Sequence, residues 1–260
     1  MAHVVVALVP IVDPQLATRQ LTVADGGDLA LGDTRHVLGP FDEAALETAL
    51  TIRDKSPGST LSVLVFGGAE ANETLRFAMA LKADKARWIA INTRHGWDAR
   101  GIANAVSEAV RSLPLPADLL LMGPEFGDHD DGLVPPLVAR ALGWTFFQWA
   151  FQVAPLAEGF AFTRDAGDFE ERLATHMPVV ATVSTHPSVR LRLPLLKNIM
   201  AANRQQVATE QVDGGPVGTE LVSLSLASSG RRRGENCNLI QGDSDSQAAA
   251  FASLIRGKLQ

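Results

Sequence analysis

An α/β fold, a doubly wound and mostly parallel sheet, is predicted by two observations. Short apolar runs bounded by turn residues recur at residues 4–9, 61–66, 88–91 and 118–123, the signature of strands buried on both faces. Stripes of apolar residues at helical spacing alternate with them as far as Trp144, on connections short enough for right-handed crossovers. Beyond Trp144 the pattern predicts a small antiparallel addition and then an extended C-terminal arm. The domain reading is one α/β nucleotide-binding-type domain over residues 1–190, with residues 191–260 as a C-terminal segment and arm.

The first strand ends at Pro10. Residues 13–38 are polar and irregular, with Gly26, Gly27 and Gly32 as turn formers and room for a short hairpin. Gly39-Pro40-Phe41-Asp42-Glu43 opens a helix: Asp42 is a cap candidate, Glu43 lies in the first turn, and Ala45, Leu46, Ala49 and Leu50 form the stripe. The strand at 61–66 runs directly into Gly67-Gly68, and a helix over 70–82 carries Leu75, Ala78 and Met79. A strand at 88–91 and a helix over 97–112 follow. The stretch 118–144 then reads as strand, Gly- and Asp-rich loop, and helix, with Leu137, Ala141 and Leu142 on one face. In an open α/β sheet such a loop lies in the crevice where ligands, often phosphates, bind. Residues 147–183 alternate as antiparallel strands feeding a last core strand, residues 187–215 read as an extended arm, and a final helix covers 245–258.

With 260 residues the chain can bury a substantial core, and 46% hydrophobic with 20% charged residues is an ordinary soluble balance. A net charge of -6 gives no electrostatic reason to expect nucleic acid or an acidic membrane surface as partner. The single cysteine, Cys237, excludes an internal disulfide and fits a reducing, cytoplasmic compartment. The opening MAHVVVALVP reads as a strand rather than a leader, and no segment reaches transmembrane length.

The six histidines show no metal-ligand spacing, so no metal site is expected. Asp128-His129-Asp130-Asp131 lacks the alternate spacing and closing Glu of a calcium loop; its plain reading is a solvated loop capping a helix. Arg231-Arg232-Arg233 reads as a solvated turn or a docking patch. No nucleophile elbow, Walker sequence or GxGxxG is present. That favours a carrier or binding subunit over a hydrolase or transferase.

Several pieces together resemble the small (β) subunit of electron-transfer flavoproteins. Residues 39–43 resemble that family's N-P-F-D-E. Glu73-Thr74-Leu75-Arg76 with Ala78-Met79-Ala80 and Ala83-Asp84 matches E-T-L-R-x-A-M-A-x-x-A-D. Asp118-Leu119, Gly123, the Asp-rich loop and Leu142-Gly143-Trp144 follow in order, as do the run 178–183 and Asn198-Ile199-Met200. The resemblance implies an adenine-nucleotide α-hydrolase-like sheet and a heterodimer. An α subunit would carry most of the FAD site, the β subunit would hold AMP, and electrons would pass from a flavoprotein dehydrogenase to a membrane quinone oxidoreductase. It places Phe41 near the partner's flavin ring, with a helix-start packing role as the plain alternative. It lines the nucleotide cavity with Ala7, Pro40, Phe41, Asp42, Phe66, Gly123, Asp128, Asp130, Asp131, Gly132, Leu133 and Val134. Leu195, Leu196, Asn198, Ile199 and Met200 become docking residues, by plugging a partner pocket or by packing on the α subunit. A nucleotide-sensing module with no redox role, or a structural subunit without cofactor, are the competing readings.

Three departures stand out. The family's Asp run continues as S/C-N-Q-T-G, whereas this chain has Asp131-Gly132-Leu133-Val134-Pro135, and Pro135 and Pro136 offer no N–H. Each charge-assisted bond lost to a phosphate is worth about 1.5–3 kcal/mol, so AMP is doubted as a ligand. The first strand continues as Leu8-Val9-Pro10 in place of the family's basic pair, and the recognition segment has far fewer lysines. The latter argues against the usual acidic dehydrogenase partner.

Overall fold

The computed structural model describes residues 2–15, 22–23, 29–30, 35–91, 98–128, 132–175, 178–215, 222 and 239–258. Asp130 and Asp131 of the expected nucleotide loop, and the Arg231–Arg233 cluster, lie outside them.

The chain opens with β1 (His3–Leu8), whose six residues are all buried. The predicted hairpin region is two antiparallel pairs: β2 (Pro10–Val12) with β5 (His36–Leu38), and β3 (Thr22–Val23) with β4 (Leu29–Ala30). Next come α1 (Pro40–Lys55), β6 (Thr60–Phe66), α2 (Ala71–Ala80), β7 (Lys85–Ile91), α3 (Ala99–Arg111), β8 (Leu119–Met122) and α4 (Val134–Leu142). Then follow β9 (Thr145–Ala150), β10 (Gln152–Pro155), β11 (Phe160–Asp165), β12 (Glu170–Thr175) and β13 (Val179–Val183). The body ends with α5 (Leu196–Asn203) and β14 (Thr209–Val212).

Seven strands form one sheet in the order β14-β7-β6-β1-β8-β13-β9, and every neighbouring pair is parallel. Alternate residues of β1 feed opposite layers. Val4, Val6 and Leu8 pack with Leu46, Leu50 and Leu75 of α1 and α2, while Val5 and Ala7 pack with Val106, Val138 and other residues of α3 and α4. The doubly wound prediction is therefore met. The chain winds outward from β1 through β6 to β7, then crosses back to β8 on the far side of β1, so the direction reverses between β1 and β8. Ligand crevices of open α/β sheets lie outside the carboxyl ends of the strands at such a reversal.

The antiparallel addition is β10-β11-β12. Two details differ from the expectation. Residues 147–150 are not part of that addition but belong to β9, the outer strand of the main sheet. Residues 191–215 do not run as an unpacked arm beyond a boundary at 190. They carry α5, and β14 closes the other edge of the sheet against β7, fixed by Arg87 Nε donating to Glu210 Oε1 at 2.8 Å. Gln148 interrupts β9 and the first three residues of β14 are polar, so neither shows the continuous apolar run of a central strand. The compact unit of the body covers 1–224, and residues 225–260 form a second. Within that second unit α6 (Ser244–Lys258) is started by the Asp243 carboxylate, which accepts the Ser246 N–H at 2.8 Å.

Candidate functional site at the carboxyl ends of the strands

The start of α1 is built against the reversal point. Pro40 sits at the first helical position, where its missing N–H is harmless, and Gly39 is the N-cap. Asp42 is not the cap that the sequence suggested. Its buried carboxylate turns inward, accepting the Val9 N–H at 2.9 Å, just past the end of β1, and the Gly123 N–H at the end of β8. One side chain thus ties α1 to both strands that flank the reversal. Full burial pushes this carboxyl from 3.8 up to about 7, although both N–H donors pull the other way.

Gly123 is required by this closure. A Cβ there would lie 2.9 Å from the Asp42 carboxylate, 2.9 Å from the Glu125 carbonyl and 3.2 Å from the Phe41 Cβ. Its place in the sequence pattern reflects the approach of α1 to β8. Phe41, half-buried, stands edge-on to Trp149, with ring centroids 5.6 Å apart and planes at 87°. Trp149 has φ of 63°, a conformation that costs a bulky residue about 1–3 kcal/mol. It is held there by a hydrogen bond from its own N–H to Thr182 Oγ1, 2.8 Å, where the β9–β13 register shifts. Trp149 is 41% exposed. No sequence signal marks it, because positive φ at a tryptophan is set by the neighbouring strand rather than by local propensity.

A cleft of about 390 Å³ opens beside the ends of β1, β6 and β7. Phe66 and Phe126 meet edge-on in its wall (5.7 Å), with Ile91 and Ile102, and Asp128 and Glu70 supply its carboxylates. No Lys or Arg lines it among the described residues. The Gly68 N–H, which faces outward after β6, is already taken by Glu70 Oε1 at 2.6 Å. At the start of α4, Leu133 is the N-cap, Val134 the first residue, and Pro135 and Pro136 follow. These prolines remove N–H groups that a helix start presents to an anion, so the residues seen here do not fit a phosphate.

The expected site residues therefore fall into groups. Phe66 and Asp128 line the cleft. Phe41, Asp42 and Gly123 meet at the reversal, and Pro40 is exposed beside them. Ala7 is fully buried in the sheet. Gly132 (φ 91°), Leu133 and Val134 lead into α4. Among the docking residues, Leu195, Leu196, Ile199 and Met200 are exposed by 59%, 73%, 36% and 51%, and Asn198 is half-buried. Arg76 braces them, Nη1 donating to the carbonyls of Ala202 (2.7 Å) and Gln205 (3.2 Å). No cluster of His, Cys, Asp and Glu able to hold a metal ion is found among the described residues. No helix among them is long and apolar enough to cross a membrane.

Comparison with known proteins agrees with this architecture. A family profile described as the electron transfer flavoprotein domain matches residues 28–214. Proteins named electron transfer flavoprotein subunit beta are similar along most of the chain. That of Bradyrhizobium diazoefficiens is 25% identical, over 72% of this chain and 74% of its own. That of Mycobacterium tuberculosis is 28% identical, over 87% and 85%, and that of Bacillus subtilis 25% identical, over 93% and 94%. With that profile matching residues 28–214, most of the parallel sheet included, and with these relatives similar along most of the chain, this chain belongs to the electron transfer flavoprotein family, among its beta subunits.

Proposed function

We propose that this chain pairs with an α subunit to form a heterodimeric electron carrier, in which the α subunit holds most of the FAD. The flavin supplies the redox chemistry. This chain closes over it, excludes water and presents the Phe41 ring toward it. A flavoprotein dehydrogenase delivers electrons, docking on Leu195, Leu196, Asn198, Ile199 and Met200. A membrane quinone oxidoreductase receives them. The single observation that carries this reading is the turn Pro40-Phe41-Asp42, locked across the ends of β1 and β8 by the Asp42 carboxylate. It presents the Phe41 ring at the crevice, while the Asp42 carboxyl is turned inward and buried.

The cleft beside it holds no AMP in this reading. Its carboxylates and the Glu70-occupied Gly68 N–H oppose a phosphate, and the two prolines of α4 remove donors from the helix start that follows the adjoining loop. Co-expression with an α-like chain tests both statements. A yellow complex with a flavin spectrum, and an acid extract carrying FAD but no AMP, is the expected result. A colourless chain that is stable without a companion would refute the carrier. One AMP per heterodimer would refute the empty cleft alone, and AMP on a colourless chain would make it a nucleotide-sensing module.

A further inference from the structure

We infer that Trp149 is a second cofactor-facing residue, its indole standing with Phe41 against the flavin ring carried by the companion subunit. This deepens the proposed function and rests on it. Three features of the structure point the same way. Trp149 holds φ of 63° at the register shift of β9 against β13, and its N–H is fixed by Thr182 Oγ1 at 2.8 Å. Backbone strain of this kind persists where the surroundings over-determine it, and it gathers at sites that must aim a side chain. The strain here does not serve to bury the indole, which stays 41% exposed. A tryptophan whose only task was packing would gain more from an ordinary strand conformation inside the core.

The indole is aimed instead at Phe41. The two rings meet edge-on, 5.6 Å apart, across the carboxyl ends of the strands. Phe41 is itself immobilised, because Asp42 is bonded to Val9 and Gly123, and the Phe41 Cβ lies over Gly123. An exposed right-angled pair of rigid aromatics forms an L-shaped corner that accepts the edge and face of one further flat ring. A planar tricyclic heteroaromatic satisfies both surfaces at once, whereas an aliphatic side chain of a protein partner has no flat face or ring edge to offer them.

The test uses the heterodimer. Trp149→Leu removes the ring. Flavin retention is expected to weaken about 3- to 10-fold, the worth of one aromatic contact, and the long-wavelength flavin absorption band is expected to shift. Trp149→Gly, which suits the positive φ, decides the matter by the same two readouts if the leucine variant fails to assemble. In the unaltered complex, stripping the flavin is expected to raise tryptophan emission, and Trp149→Phe to reduce that rise, since three other tryptophans remain in this chain. Unchanged flavin affinity and absorption in both the leucine and glycine variants would overturn the inference while leaving the carrier reading intact. A colourless wild-type heterodimer would remove the carrier reading and the inference together.

Discussion

Replacing Asp42 by Asn tests the burial of the carboxylate that locks the reversal point. The folded chain holds this group protonated up to about pH 7, whereas an unfolded chain ionises it near 3.8. A raised acid contributes its stability in full below the unfolded value and loses it as pH rises through the folded one. At about 1.4 kcal/mol per pH unit, the loss between pH 4 and pH 7 is on the order of 4 kcal/mol. Asparagine carries no proton to release, so this dependence vanishes in the variant. At pH 4 the amide oxygen can replace only one carboxyl oxygen as acceptor for the Val9 and Gly123 N–H groups, so the variant should be the less stable by about 1–3 kcal/mol. By pH 8 the variant should be the more stable. Urea unfolding of the purified complex at half-unit steps from pH 4.5 to 8 measures the difference. A difference that stays constant refutes the reasoning. Were the two N–H donors to outweigh burial and hold the group ionised, the dependence would fall below pH 4 and the wild type would stay the more stable by a constant margin across this range.

Gly123→Ala should destabilise the fold by about 1–3 kcal/mol, since the added Cβ would lie 2.9 Å from the Glu125 carbonyl as well as from Asp42; thermal unfolding reads this directly. Arg192→Ala breaks contacts to Glu47 (2.7 Å) and Asp54. With both Arg192 and Asp54 more than a third exposed, a loss of only about 1 kcal/mol is expected, and it should shrink in high salt. Leu195→Ala and Leu196→Ala should slow reduction by the cognate dehydrogenase while the heterodimer still elutes intact from gel filtration. Unchanged rates in both would remove this segment from the docking surface.

The central sheet was legible because its strands are buried on both faces and write themselves as apolar runs, such as HVVVAL and LLLM. The edge strands were not. β9 and β14 are half-covered, so their patterns, TFFQWA and TEQV, look like the surface segments around them. The site divides in the same way. Gly39-Pro40-Phe41-Asp42 was visible as a helix start, but which acceptor or donor Asp42 would choose was not. A cap bond is local, while its actual bonds to Val9 and Gly123 require the reversal of strand order to bring three distant segments together. The two prolines of α4 could be read in advance because they act through covalent structure alone. Glu70 could not, since its claim on the Gly68 N–H depends on the turn after β6.

The placement of the strong polar contacts bears on the docking segment. In the cleft the Gly68 N–H is satisfied by Glu70, a side chain of its own loop. Around residues 192–205, by contrast, two arginines reach across the fold. Arg192 ties the segment to Glu47 and Asp54 of α1 from one side, with its N–H also donating to Glu47 Oε2 at 3.0 Å. Arg76 of α2 holds the far end of α5 through two carbonyls. Between these anchors Leu193, Leu195, Leu196 and Met200 are all more than half exposed. An apolar surface left on a mobile loop would have to be ordered on binding, at about 0.5–1.5 kcal/mol per immobilised side chain. One braced at both ends has met most of that cost on folding. In the proposed carrier the arginines would therefore serve the leucines, by ordering an exposed apolar tip before a partner meets it.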